Sequence, residues 1–183
     1  VRIIAGTAKG RRLATPTGSH IRPVLDQVKE SIFNILYSVE NLDVLDLFAG
    51  TGSIGLEAIS RGAASVMFVD SDREAVKLLH ENIRKCSFEN QCRVIPKHIN
   101  SALKMLEKSG RKFDLIFIDP PYLKDLVNPT IRQVFETGLL NDGGTIIIEH
   151  HPKEPIENLP NGLKISDERK YGQTLMTFAR GDT

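Results

Sequence analysis

Asp119-Pro120-Pro121-Tyr122 is the segment of this sequence best equipped for chemistry. Its two prolines fix φ and remove two backbone donors. What remains is rich in acceptors, the Asp119 carboxylate and the Pro120 carbonyl, with the aromatic face of Tyr122 beside them. Such a set fits an NH2 group on a flat ring. That amine is a poor nucleophile because its lone pair is delocalised into the ring. Two acceptors, one per N–H, hold the nitrogen and favour a more pyramidal form whose lone pair can attack an electrophilic carbon. Most of the acceleration then comes from positioning and electrostatics. Asp119 is placed to take the proton of the cationic product or pass it to water, and Tyr122 to stack on the ring, a contact worth roughly 1–3 kcal/mol. A base must leave its stack to reach such a pocket. Asp119, Pro120, Pro121 and Tyr122 are therefore the catalytic candidates. A proline-rich turn after a strand carries the same four letters, so context decides.

The context is a second segment, Asp46-Leu47-Phe48-Ala49-Gly50-Thr51-Gly52-Ser53-Ile54-Gly55. Gly50 and Gly52 allow a tight turn and close approach of a ligand, and a helix starting near Ser53 offers free N–H groups. Asp70 follows twenty residues after Gly50, where an acid can accept both hydroxyls of a ribose. These features point to an adenosine-type cofactor. Gly50-x-Gly52-x-x-Gly55 also matches the dinucleotide fingerprint, which keeps a nicotinamide oxidoreductase open. Asp46 favours S-adenosylmethionine: a carboxylate there suits an amino-acid ammonium group and sits poorly beside a pyrophosphate. A nicotinamide enzyme would also leave Asp119 to Tyr122 without a purpose. The cofactor-binding candidates are Asp46, Phe48, Ala49, Gly50, Thr51, Gly52, Asp70, Ser71, Asn100 and Ser101, with either Asn100 or Ser101 bonding the adenine amine. Asp72 is expected to cap the next helix.

Both segments need elements to aim them. Strands are expected at residues 44–48, 65–69, 92–96, 113–118 and 144–149, alternating with helices at 54–61, 73–85, 101–108 and 129–137. Apolar strands alternating with helices imply a parallel sheet covered on both faces. Ligands of such sheets sit at the carboxyl ends of strands, so the glycine turn and the tetrapeptide should face one crevice. Residues 163–169 and 174–180 read as antiparallel strands joined by a tight turn at Tyr171-Gly172. A helix begins near Val24, with apolar positions Val28, Ile32, Ile35 and Leu36 at helical spacing; its Lys29 and Glu30 either orient Arg22 or are solvated. Residues 2–5 and 11–14 are expected to form a small N-terminal β-hairpin, and 15–23 a loop.

Net charge is +1 in 183 residues, but the first 23 carry Arg2, Lys9, Arg11, Arg12 and Arg22 without an acid, leaving −4 for the rest. A basic arm on a mildly acidic body suggests phosphate contact, and these five are the RNA-binding candidates. No 18-residue apolar run suggests a membrane span, and the start lacks the apolar stretch of a secretory signal. Cys86 and Cys92 fit neither a zinc ribbon nor a redox pair. A cytoplasmic protein of one domain is expected, with the basic arm at 1–23 and the catalytic core at 24–183. His150-His151 lacks an evident third ligand, so a capping or edge role is expected there and no metal.

Taken together, the glycine turn, Asp70 and Asp119 to Tyr122 resemble the amino-methylating class I methyltransferases. Arg2-Ile3-Ile4-Ala5-Gly6, Lys9-Gly10-Arg11-Arg12-Leu13, and Arg22-Pro23 followed by residues 26–36 resemble the bacterial 16S rRNA guanine-N2 methyltransferases, the small-subunit rRNA methyltransferase D family. The resemblance extends to Tyr171-Gly172-x-Thr174. It implies a Rossmann-like α/β fold with a seven-stranded, mostly parallel sheet, helices on both faces and a C-terminal antiparallel hairpin. It also implies transfer of a methyl group from S-adenosylmethionine to N2 of a guanine in 16S rRNA, guanine 966 for the family, with a small-subunit ribosomal particle as the partner. The chain departs from many relatives at Val24, where they have Thr, and at Asn100-Ser101, where they have Asp. The alternative is a DNA or RNA adenine-N6 methyltransferase. DNA enzymes of that kind usually carry a target-reading segment, for which about forty residues before the core leave little room.

Overall fold

The computed structural model describes residues 1–16 and 24–182. The elements run α1 (Val24–Leu36), β1 (Asp43–Leu47), α2 (Ser53–Ser60), β2 (Ser65–Val69), α3 (Arg73–Cys86), β3 (Cys92–Ile95), α4 (Ile99–Ser109), β4 (Phe113–Ile118), α5 (Val127–Glu136), β5 (Leu140–His150), β6 (Leu163–Tyr171) and β7 (Thr174–Gly181). They build a seven-stranded sheet in the order β3-β2-β1-β4-β5-β7-β6. Strands β1 to β5 pair in parallel, and β7 enters antiparallel between β5 and β6. The expected mostly parallel sheet with a C-terminal antiparallel hairpin is therefore present.

Alternation along each strand divides the core in two. Val44, Phe68, Leu115 and Phe117 face α1, α2 and α3, while Leu45, Leu47, Ile116 and Ile118 face α4 and α5. Because both faces are covered, the central strands read as mainly apolar runs, with Asp46 the buried exception in β1. Chain direction reverses its walk across the sheet between β1 and β4, which are neighbours. Their carboxyl ends flank the topological switch point, the usual place for a ligand crevice.

Three local expectations need revision. First, α4 starts two residues earlier than the pattern suggested, so Asn100 and Ser101 lie in its first turn. Second, β5 begins earlier, at Leu140, after a register shift against β4 between Phe113 and Leu115. Third, the N-terminal hairpin holds a single antiparallel bridge, Arg2 to Arg12, instead of two strands. Across the hairpin, Ile3 N–H donates to the Arg11 carbonyl at 2.9 Å, Gly10 N–H to the Ile3 carbonyl at 2.8 Å and Leu13 N–H to the Val1 carbonyl at 3.0 Å. Other donors of the arm turn to α2. Ile4 and Ala5 N–H donate to the Glu57 carboxylate at 2.8 and 3.0 Å, Thr7 N–H to the Ser60 carbonyl at 2.8 Å, and Ala8 N–H to Ser60 Oγ at 2.9 Å. The arm also buries Ile3, Ala8 and Leu13 in the core shared with α1 to α3.

Lys29 is not solvated: its side chain is buried. Nζ donates to the Arg2 carbonyl at 2.5 Å and lies 3.6 Å from Glu57. Glu57, wholly buried, also receives Arg61 Nε at 2.7 Å. A buried carboxylate needs such a set of donors and counter-charges. Glu30 is exposed. Arg22 and the loop through Pro23 lie outside the described residues.

Candidate active site

The glycine turn is shaped by Asp46 and Asp70. Asp46, in β1, is almost fully buried and accepts Gly55 N–H at 3.0 Å, which ties the strand end to the first turn of α2. Asp70 ends the next strand; its Oδ2 accepts Gly50 N–H at 2.7 Å and its Oδ1 accepts Asp72 N–H at 2.8 Å. Asp72 caps α3 by accepting Ala75 N–H at 2.8 Å, as expected. The two glycines differ in role. A Cβ at Gly52, where φ is +80°, would lie 2.3 Å from Leu79 Cδ1, so packing against α3 demands its absence. A Cβ at Gly50, where φ is +55°, would meet no protein atom within 4 Å. Gly50 borders open space, the room a ligand backbone contact needs.

That space is a crevice of about 220 Å³ at the ends of β1 and β4. Asp46, Phe48, Ala49, Gly50, Thr51 and Asp119 line it, joined by Glu149 from β5 and apolar Ile32 and Met176. A second cavity of about 260 Å³ is lined by Asp70, Ser71, Lys97, His98 and Asn100. Phe48 borders both. Its φ is +60°, a left-handed conformation that a bulky residue rarely adopts and that clusters at ligand clamps. Asn100 thus borders the second cavity; Ser101 is exposed on α4 and borders neither.

The tetrapeptide meets the crevice through Asp119. Pro120 is buried and Pro121 exposed. Tyr122 is half-buried, and its hydroxyl donates to Glu149 Oε1 at 2.6 Å and lies 2.7 Å from Thr174 Oγ1 in β7. Its ring meets the His151 ring at a centroid distance of 5.8 Å. The following residue, Leu123, has φ +58° and donates its N–H to the buried Glu154 at 2.6 Å. Glu149, Thr174 and Glu154 were not singled out from the sequence. Only the position of Glu149 at a strand's carboxyl end could have marked it.

Three carboxyl groups share the crevice, and all are held above the ordinary carboxylate range. Burial pushes Asp46 up to about 7, with the Asp70 charge adding and the Gly55 N–H opposing. Asp119 is raised well above 3.8 by desolvation, then by Glu149 and Asp46. Its side chain is nonetheless open at the crevice mouth, so the desolvation acts in full only when a ligand closes that mouth. Glu149 is raised by burial and lowered by the Tyr122 hydroxyl and His150. Packing three acids around one apolar cavity suits a cationic ligand and proton-bearing amines.

His150 plays no edge role. It is buried, with Nδ1 2.9 Å from the Glu154 carbonyl and Nε2 2.9 Å from Thr177 Oγ1. No group of three or more His, Cys, Asp or Glu suited to a metal occurs among the described residues. No helix among them is long and apolar enough to cross a membrane.

The basic arm divides as well. Arg2 pairs with Asp26 at 3.2 Å, and Arg11 donates to the Lys85 carbonyl at 2.5 Å. Lys9 and Arg12 are exposed. A groove of about 400 Å³ runs between the arm and α1, lined by Arg2, Lys9, Glu30, Asn34 and Arg61. Ile32, between Glu30 and Asn34 on α1, lines the crevice instead.

Residues 1–180 match the family model described as Conserved hypothetical protein 95. The chain is 33% identical over 174 residues to Ribosomal RNA small subunit methyltransferase D of Escherichia coli K12, covering 94% of this chain and 86% of that one. It is 36% identical over 159 residues to the protein of the same name from Haemophilus influenzae, covering 85% and 81%. Among solved structures, a hypothetical protein of Thermus thermophilus superposes with a TM-score of 0.81 at 30% identity, over 100% of this chain and 99% of that one.

Proposed function

Because this chain belongs to the Conserved hypothetical protein 95 family, alongside the small-subunit rRNA methyltransferases D, we propose that it transfers a methyl group from S-adenosylmethionine to the exocyclic N2 of a guanine in 16S rRNA. The observation that carries this function is the convergence of Asp46, Gly50 and Asp119 on one crevice at the ends of β1 and β4. The donor set fits the cofactor. The Asp46 carboxylate suits its ammonium group, the open side of Gly50 admits close backbone contact, and the second cavity with Asp70 and Asn100 suits its adenosine, with Phe48 between the halves. When bound, S-adenosylmethionine supplies the electrophilic methyl carbon.

The chain's own residues do the rest. Asp119 accepts an N–H of the base amine, holds its nitrogen in line, and takes the proton released on methylation. A carboxylate with a raised pKa is matched to that last task near neutral pH. Tyr122, its hydroxyl fixed between β5 and β7, offers its ring to the flipped base. Pro120 and Pro121 keep the segment rigid. Apolar Ile32 and Met176 exclude water from the crevice and so strengthen the electrostatic contacts inside it. The arm, through exposed Lys9 and Arg12, contacts RNA phosphates, with 16S rRNA in a small-subunit particle as the partner.

The test is transfer of labelled methyl groups to undermodified small ribosomal subunits and to duplex DNA, beside calorimetry with S-adenosylhomocysteine and NADH. Binding of S-adenosylhomocysteine and labelling of the subunits are expected. Labelling of duplex DNA alone, or binding of NADH alone, would overturn the assignment.

A further inference from the structure

Glu149 has no assigned task in the chemistry above, yet it stands beside the residue that does. β4 and β5 run parallel with Ile118 opposite Ile148, so Asp119 and Glu149 follow at adjoining strand ends. Both line the same crevice. Glu149 is anchored from behind, because Oε1 accepts the Tyr122 hydroxyl at 2.6 Å. Oε2 meets no hydrogen-bond donor among the described residues, nor does either oxygen of Asp119. Two carboxylates with unused acceptor capacity thus open side by side at the place where a base amine is expected.

An ionised carboxylate has no donor and can only accept hydrogen bonds. What it accepts from a flipped base depends on the Watson–Crick edge. In adenine and cytosine the ring nitrogen next to the exocyclic amine carries a lone pair. In guanine the ring nitrogen there is N1–H, a donor. A second carboxylate next to the one that holds the amine therefore completes a pair of hydrogen bonds with guanine. The same carboxylate faces a lone pair in adenine or cytosine.

Resting on the methyl-transfer function above, we propose that Glu149 is the specificity-determining residue of the crevice: it accepts the guanine N1–H through Oε2 while Asp119 holds N2. Donation from the Tyr122 hydroxyl fixes the carboxylate and, with His150, favours its charged form against burial. A site built to bond a polar group discriminates strongly against an analogue that lacks it, because its buried acceptor is then left unpaired. The preference for guanine over adenine is accordingly set at the end of β5, not in the Asp-Pro-Pro-Tyr segment, whose acceptors suit any amino-bearing base.

The test uses RNA in which the mapped target guanine is replaced by 2-aminopurine. That base keeps the amine at C2 but carries a lone pair at N1. The wild-type protein should methylate the guanine RNA about 10²-fold or more faster than the 2-aminopurine RNA. Glu149→Gln presents an amide whose NH2 can donate, so the ratio should shrink to within about tenfold. Its calorimetric affinity for S-adenosylhomocysteine should stay within a few-fold of the wild type. Equal wild-type rates on the two RNAs would overturn the role of Glu149, and that comparison requires no variant to fold. A Glu149→Gln protein that binds S-adenosylhomocysteine normally and keeps the wild-type ratio would also overturn it. Absence of wild-type transfer to any small-subunit RNA would instead bring down the methyl-transfer function itself.

Discussion

Asn82 donates its side-chain amide to the Thr51 carbonyl at 2.9 Å. The same buried amide group donates to the Ala14 carbonyl at 3.0 Å and accepts Ala14 N–H at 2.7 Å. One residue of α3 thus fastens the end of the N-terminal arm and the crest of the glycine turn to the same point. Replacing it with leucine leaves three part-buried backbone groups of Ala14 and Thr51 without their partner, which costs stability. Asn82→Leu should lower the thermal midpoint and weaken S-adenosylhomocysteine binding together, read by calorimetric unfolding and titration. Normal cofactor affinity in a destabilised variant would uncouple the turn from this anchor.

Asp46 should give cofactor binding a pH dependence. Its carboxyl is raised from 3.8 to about 7. Between those values the unfolded chain has released this proton and the folded chain has not, so the group's contribution to stability falls as pH rises through that window. Binding of an ammonium group runs the other way, because it needs the ionised form. Affinity for S-adenosylhomocysteine should fall about tenfold from pH 8 to pH 6, and Asp46→Asn should bind weakly with a flat profile. A flat wild-type profile would take Asp46 away from the ammonium group.

Asp119→Ala separates chemistry from cofactor binding. Asp119 lines the crevice on the β4 side, across from the turn at Gly50. Loss of its carboxylate should abolish methyl transfer and leave S-adenosylhomocysteine affinity within a few-fold. A near-normal turnover rate would remove Asp119 from the reaction.

The arm's contribution should rest on Lys9 and Arg12, since Arg2 and Arg11 already have protein partners. Each phosphate contact adds a slope of about −0.7 to −0.9 to log K against log salt. Lys9→Ala with Arg12→Ala should therefore weaken RNA binding and reduce the slope by roughly 1–2. An unchanged slope in a filter-binding salt series would make the arm a bystander.

The central strands were legible because burial on both faces writes apolar residues into 115–118 and into 44–47 except at Asp46. The glycine turn and Asp119 were legible by residue type and spacing after strands, and the fold brings both to one crevice. Glu149 was not, since it and its partners Tyr122 and Thr174 come from three different strand ends that only the folded sheet aligns. Lys29 and Glu57 were hidden for the same reason: a lysine on α1 reads as solvated until α2 brings a wholly buried carboxylate to it. The N-terminal hairpin is present but shorter than its sequence suggests, because Ile4, Ala5 and Ala8 donate their N–H groups to Glu57 and Ser60 of α2, which only the folded chain brings near.

The most direct measurement is the identity of the modified nucleoside. Undermodified small subunits incubated with the protein and labelled S-adenosylmethionine would be digested to nucleosides and separated. Label in N2-methylguanosine, at one position of 16S rRNA, is the predicted result. Label in N6-methyladenosine, or none in RNA while the protein binds the cofactor, would contradict the account.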